Sequence, residues 1–381
     1  MRWHIVTGEY PPDPGGVGDY TRQVACGLAA GGDEIDVWTH PTHAIGPLLQ
    51  HQDEGVHVHR LPGGFGIRGL AAMSRELDRF PPPRHIFVQY VPHAYGYKAM
   101  NLAFCWWLRS RRKDAVWIMF HEVRFPMRWN QPPAHNVIAV MNLSMARIAA
   151  RAANRIFIAT EFWRKMVAPI ARIGTPIQWL PVPSNIPVSW DRVRSAEIHA
   201  RYAGAGRFLV GHFGTFGSHT KDLLLSLLPR LIAAMPRATF LLLGRNNEAF
   251  RLLLAGTYPE AAARAHAPDS LSGPELSCHI AACDVMVQPF PDGVTSRRTS
   301  LMAGLALERP VVTTSGERTE DFWRETRAVA LADLDDPAGF VDKTKELLEN
   351  EVERKRLAAA AGALYRSSFD LTHTIAALRQ P

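Results

Sequence analysis

Only four cysteines occur in 381 residues, Cys26, Cys105, Cys278 and Cys283, and no two form a C-x-x-C pair. A disulfide scaffold is therefore excluded, and a reducing compartment, the cytoplasm, is expected. No run of eighteen apolar residues appears, and Met1 to Gly8 enters a strand-like segment without a cationic start or apolar leader, so neither membrane spanning nor secretion is expected. The dinucleotide fingerprint G-x-G-x-x-G is also missing. With 47% hydrophobic and 21% charged residues, disordered, collagen-like and coiled-coil classes drop out as well.

The charge is one-sided. Residues 1–190 carry 20 Lys and Arg against 13 Asp and Glu, whereas residues 191–381 carry 23 of each, so the whole net charge of +7 sits in the first half. Such asymmetry suits either an anionic partner or a solubilising surface.

Short apolar runs alternate with helical stretches: His4 to Thr7, Ile35 to Thr39, Ile86 to Gln89, Val116 to Phe120 and Arg155 to Ala159. The alternation predicts βα units on a parallel sheet. At Pro181-Val182-Pro183-Ser184-Asn185-Ile186-Pro187 three prolines bar both helix and central strand, which marks a linker. The pattern restarts with Phe208 to Phe213, Thr239 to Leu243, Val285 to Gln288, Pro310 to Thr314 and Ala328 to Leu331. Two Rossmann-like domains are expected, with their ligands beyond the carboxyl ends of the strands and, in a two-domain arrangement, across a cleft.

Four segments carry candidate chemistry. The loop from Gly8 to Tyr20 holds Gly15, Gly16 and Gly18 at a strand-to-helix junction, where backbone N–H groups can approach an anion or simply make a tight turn. His121 falls at the end of the Val116 to Phe120 strand, placed to reach a substrate hydroxyl or a leaving-group oxygen. Gly211 to Asp222 includes Gly214, Thr215 and Lys221, the last a mobile point charge suited to phosphate or to solvent. Ala282 to Gly304 runs from a strand into a Pro/Gly turn, then Thr295 or Ser296 as an expected N-cap, with Arg297 and Arg298 in the first helical turn. Cations are disfavoured at that end of a helix dipole, so they argue for a bound anion or for ion pairing with Glu308 or Glu317.

In this order the segments resemble the retaining glycosyltransferases of the GT-B fold, the large family-four group. E-Y-P-P-x-x-G-G-V-G-x-Y, His121, the G-x-F-G…K loop and A-A-C-D-V-x-V-Q-P-F…S-L-M-A-G-L-A-x-x-x-P-V-V-T-T carry the likeness across the whole chain. The resemblance implies an acceptor-side domain of residues 1–183 completed by 366–381 and a donor-side domain of 188–365, the last helix (Phe369 to Leu378) crossing back. It implies a nucleotide-sugar substrate, a carbohydrate or lipid-linked acceptor, retention, no cofactor, no metal and no nucleic acid. Gly15 and Gly16 would approach the donor, His121 the transferred sugar, and Lys221 the diphosphate. Gly214 and Thr215 would line the donor loop, Thr295, Ser296 and Arg297 would offer N–H groups to phosphate, and Glu9, Asp19 and Tyr20 would lie on the acceptor side.

Two departures stand out. The family's E-x7-E pair falls on Asp292 and Ser300, and its arginine a few positions before the lysine has no counterpart near Thr215. Arg298 or Arg297 is expected to replace that charge. An idle, nucleotide- or partner-binding protein stays open as a rival on this ground, as do a sugar phosphorylase and a nucleotide-sugar epimerase. Asp333-Leu334-Asp335 matches D-x-D but reads as helix N-capping, and His57-x-His59 lacks a third zinc ligand. Trp106 and Trp107 beside Arg109, Arg111, Arg112 and Lys113 suit either an anionic bilayer surface or a buried helix with a charged end.

Overall fold

The computed structural model describes residues 1–42 and 50–380. It divides into two compact units, 1–181 with 371–381, and 182–370. In the first unit, among the described residues, β1 (Arg2–Thr7), β2 (Glu34–Thr39), β3 (Gln50–Asp53), β4 (Val56–Arg60), β5 (His85–Tyr90), β6 (Ala115–Phe120), β7 (Arg155–Ile158) and β8 (Ile177–Trp179) form one sheet ordered β3-β4-β2-β1-β5-β6-β7-β8. The central strands are buried almost throughout, as expected for a parallel sheet covered on both faces.

One pairing departs from the expected parallel sheet: β3 runs antiparallel to β4. The hairpin turns at Glu54 and Gly55, both with positive φ (48° and 84°), the geometry that matches strand twist in a two-residue turn. β3 is short and polar, and β4 alternates the buried Val56 and Val58 with His57 and His59, so neither shows a continuous apolar run.

Helices Ile67–Leu77, Leu102–Ser110 and Pro133–Ala152 supply Leu70, Met73, Phe104, Leu108, Met145 and Ala149 to the main core cluster of this unit. The C-terminal helix Leu371–Arg379 packs on helix Gly16–Ala30, where Ile375 closes on Gly27 and Arg379 pairs with Asp33 at 2.9 Å. The return to the first unit begins at Leu371 rather than 366, because Tyr365–Phe369 is a π-helical turn of the second unit.

The basic patch expected around residue 109 is smaller than its sequence. Trp107 is half-buried and its indole N–H donates to Ser74 Oγ at 2.7 Å, while Arg111 pairs with Asp114 (2.7 Å) and Asp78 (2.9 Å). Trp106, Arg109, Arg112 and Lys113 remain exposed.

In the second unit β9 (Phe208–Phe213), β10 (Ala238–Leu243), β11 (Ala265–His266), β12 (Val285–Gln288), β13 (Val311–Ser315) and β14 (Ala330–Asp333) form a parallel sheet ordered β11-β10-β9-β12-β13-β14. Leu224, Leu227 and Leu231 of helix Ser218–Ala234 and Phe340 and Leu347 of helix Pro337–Glu349 pack over it. That last helix is capped by Asp336, whose carboxylate accepts from the Gly339 N–H at 2.8 Å, so the capping role expected of Asp333 and Asp335 moves one residue on.

Each unit buries a histidine in its sheet. Burial holds the His4 imidazole down to about 4 against the opposing pull of Asp36, and burial likewise holds His212 at about 4. Between pH 6.5 and 4 the unfolded chain therefore binds protons that the folded chain refuses, and stability falls as pH falls through that window. Melting temperature followed by circular dichroism is expected to drop across it. A flat profile from pH 7 to 4 would contradict the burial of these two rings.

Candidate functional site

In the second unit the chain leaves β12 through Phe290 and turns at Gly293, whose φ is 87° and whose missing Cβ would lie 2.4 Å from the Gly316 nitrogen. Only glycine fits both demands. The turn is stapled to β13: Phe290 N–H donates to Thr314 Oγ1 (2.7 Å) and Val294 N–H to Thr314 O (2.8 Å). The loop after β13 is thereby brought beside it, and Arg318 N–H donates to Asp292 O at 3.1 Å.

That juxtaposition gathers three guanidinium groups around one carboxylate. Asp292 is bonded by Arg298 through Oδ1 and by Arg318 through Oδ2 (3.0 Å), with Arg297 at 3.8 Å. Arg298 also lies over the Phe290 ring, 4.7 Å from its centroid. Burial, then the neighbouring Arg297, pushes the Arg298 guanidinium down to about 10, so it stays charged at neutral pH in a site that disfavours its charge. An anion arriving there would relieve the repulsion among the three.

Arg318 was not singled out in the sequence. It lies twenty positions beyond Arg298, and the usable signal was its place just after the predicted strand Pro310 to Thr314. Glu320 was missed for the same reason. Its buried carboxylate accepts from Ser296 N–H (2.7 Å), Ser296 Oγ (2.5 Å) and Trp323 Nε1 (3.0 Å), which fixes the Thr295–Arg297 loop.

These contacts revise several expectations. The helix begins at Thr299 with Arg298 as N-cap, so the arginines precede it and Thr295 and Ser296 do not cap it. Ser296 N–H is already donated to Glu320, which replaces its expected use toward phosphate. Asp292 takes up the arginines, rather than Glu308, which pairs with Arg366, or Glu317, 3.5 Å from Arg318. Thr295 Oγ1 is buried with no hydrogen-bond partner among the described residues. Ser300 is half-buried in the first turn of helix Thr299–Ala306. Lys221 is half-buried in the first turn of its helix and has no ion pair among the described residues, while Gly214 follows β9 and Thr215 is exposed.

The first unit brings another group together at the ends of β1, β5 and β6. His121 is buried, and its Nε2 lies in hydrogen-bond contact with Gln89 Oε1 at 2.8 Å, which holds the ring in place. Tyr20 packs edge-on against its ring at 5.0 Å and is itself buried. Glu9 is also turned inward: its Oε1 accepts the Val17 and Gly18 N–H groups at 2.9 and 3.1 Å. The start of helix Gly16–Ala30 thus holds an internal carboxylate where a ligand anion was expected. Asp19 is half-buried, its N–H donating to Gly15 O at 2.9 Å.

Comparison with known proteins fits these two units. Residues 207–350 match the family model for glycosyl transferases group 1, and residues 15–183 match that for a glycosyl transferase 4-like domain. Each unit of the chain thus matches a glycosyltransferase family model. Among solved structures this chain is similar to a sucrose-phosphate synthase from Thermosynechococcus elongatus (15% identity, 99% of this chain and 97% of that chain, TM-score 0.77). Another is HepE from Anabaena in complex with UDP and glucose (14%, 99% and 98%, TM-score 0.72). A third is an α,α-trehalose-phosphate synthase (UDP-forming) from Burkholderia vietnamiensis (14%, 99% and 96%, TM-score 0.67). These neighbours establish the GT-B class of two parallel-sheet α/β domains. A curated relative, the D-inositol 3-phosphate glycosyltransferase of Pseudarthrobacter chlorophenolicus, is 40% identical over 52 residues, 14% of this chain, and the match spans only 12% of that protein.

Within this chain the two glycines of the first loop separate cleanly. A Cβ on Gly15 would lie 2.2 to 2.4 Å from the Glu9 carboxylate, whereas one on Gly16 meets nothing within 4 Å. Gly15→Ala is expected to lower the melting temperature by breaking the Glu9 cap, a loss of about 1 kcal/mol. Gly16→Ala is expected to leave melting unchanged and to act, if at all, on ligand binding. Equal thermal melts for both variants would contradict the cap.

Proposed function

We propose that the chain transfers a sugar from a nucleotide-sugar donor to an acceptor hydroxyl, with retention at the anomeric carbon and without a metal ion. The observation that carries this reading is the arginine cluster on Asp292, in a family whose chemistry releases a nucleoside diphosphate. As the glycosidic bond to the diphosphate breaks, negative charge grows on the leaving oxygen. Preorganised cations stabilise that charge more in the transition state than in the ground state. Arg298, Arg318 and Lys221 fill that role here, with Thr295 and Arg297 nearest in sequence to the phosphate loop and Gly214 and Thr215 on the lysine side.

The first unit then supplies the acceptor and sugar side. His121, held by Gln89 and packed on Tyr20, would meet a sugar hydroxyl, and a side chain at Gly16 would meet nothing within 4 Å. HepE, the structural neighbour solved with UDP and with UDP-glucose, supports a nucleotide-sugar donor.

One observation favours a second reading. Both Asp292 oxygens are occupied by arginines and Ser300 offers no carboxylate, so a nucleotide-binding protein without transfer activity remains the rival. Proton NMR of the first-formed product, run with EDTA present, decides between them. Retention of the donor's anomeric configuration supports the proposal. Inversion, a strict metal requirement, or binding of the donor with no turnover contradicts it.

A further inference from the structure

A separate surface of the first unit is apolar where solvent should make it polar. From Val123 to Ala153 the chain carries four arginines, Arg124, Arg128, Arg147 and Arg151, and no Asp or Glu. Phe125, Met127 and Trp129 stand exposed in the loop before helix Pro133–Ala152, and the Trp129 side chain is fully solvated at 105%. On the helix itself Val137, Val140 and Leu143 are exposed. At 100° per residue they share one stripe with Arg147 and Arg151, opposite the packed Ala139, Met145, Ala146 and Ala149.

The loop does not hang free of this helix. Asn142 accepts the Phe125 N–H (3.2 Å) and donates to Ala99 O (2.5 Å), Asn136 bonds both N–H and C=O of Arg128, and the Phe125 ring meets His135 edge-on at 5.5 Å. The aromatic side chains are thus held out on a fixed base. Ordinary folding gives no reason to hold a tryptophan in water, and exposed apolar side chains accompanied by charge of one sign mark an interaction surface.

We propose that this face docks on an anionic lipid bilayer, the aromatic residues entering the headgroup layer and the arginines meeting lipid phosphates. Charge complementarity selects this occupant: a bilayer surface presents dense negative charge over an apolar interior, and this segment presents exposed apolar side chains together with arginines and no acidic residue. The surface differs from the Trp106 cluster expected from sequence, where Trp107 and Arg111 are tied into the fold. Among the described residues no helix is long and apolar enough to cross a membrane, so the contact is one of lying on the surface. The proposal is independent of the nucleotide-sugar reading.

Flotation of the full chain with phosphatidylcholine vesicles, with and without one third phosphatidylglycerol, tests it at low and high salt. Binding is expected to the anionic vesicles alone, to be released by salt, and to shift tryptophan emission to the blue. Trp129→Ser, and separately the pair Arg147→Glu with Arg151→Glu, should each weaken binding by roughly tenfold while melting stays unchanged, since these side chains are exposed. Arg109→Glu with Lys113→Glu should weaken it less. Equal binding to neutral vesicles, no binding at low salt, or unaltered binding by the Trp129 and arginine variants would overturn the proposal. So would a stable dimer dissolved by Trp129→Ser, which would make the face an interface between two copies.

Discussion

Arg298→Ala is expected to lower kcat by roughly a hundredfold or more, the loss typical when one preorganised donor to a developing anion is removed. The variant should fold, because Asp292 keeps Arg318 at 3.0 Å and Arg297 nearby. The Phe290 ring loses its cation partner, a contribution of about 1 kcal/mol. Arg298→Lys should recover part of the rate, since it restores a point charge but not a planar fork. Initial-rate measurements on both variants check this. Unchanged turnover in Arg298→Ala would remove the arginine cluster from the chemistry.

Glu320→Ala is expected to damage stability and rate together. Its carboxylate satisfies the Ser296 N–H, the Ser296 hydroxyl and the Trp323 indole in a buried setting. Removing it leaves those donors buried without an acceptor, at about 3 kcal/mol in all. For a unit of this size that corresponds to a fall of roughly 6–12 °C in melting temperature. The freed Thr295–Arg297 loop would also misplace the neighbouring guanidinium groups, so kcat should fall further than KM rises. Glu320→Gln, which keeps an acceptor oxygen, should sit between wild type and alanine on both scales. A Glu320→Ala protein with wild-type melting would show that the loop is held by something else.

Much of this fold could be read from the sequence because its signal is periodic. Apolar runs such as Ile86 to Gln89 and Val285 to Gln288 are buried parallel strands, and the prolines from Pro181 onward fall where the two units divide. The β3–β4 pairing escaped because β3 is polar and the turn is Glu54-Gly55, a weaker signal than Asn-Gly, although His57 and His59 were expected on one face of a strand. Residues β8 and β11 contribute are only three and two, too few to show a period.

The site was legible by position and illegible by partner. Arg297, Arg298 and Asp292 stood out because they follow a strand, yet nothing in a linear reading shows that Arg318 and Glu320 return to the same loop. The pairing of β12 with β13 brings them there. The inward turn of Glu9 was hidden for a related reason. A carboxylate eight residues before Val17 looks like a cleft residue until the helix start folds back onto it. Where charge was concerned, the sequence showed how many cations the first half carries but not which were already paired, as Arg111 is with Asp78 and Asp114.

The central claim is that the second unit binds a nucleotide sugar through its arginine cluster without a metal. Isothermal titration of the wild type and Arg298→Ala with UDP-, GDP-, ADP- and dTDP-sugars, all in EDTA, tests it most directly. Saturable binding of one nucleotide class to the wild type, weakened at least tenfold in Arg298→Ala, is the predicted result. Absence of binding across the panel on folded protein, or binding that Arg298→Ala leaves unchanged, would contradict it.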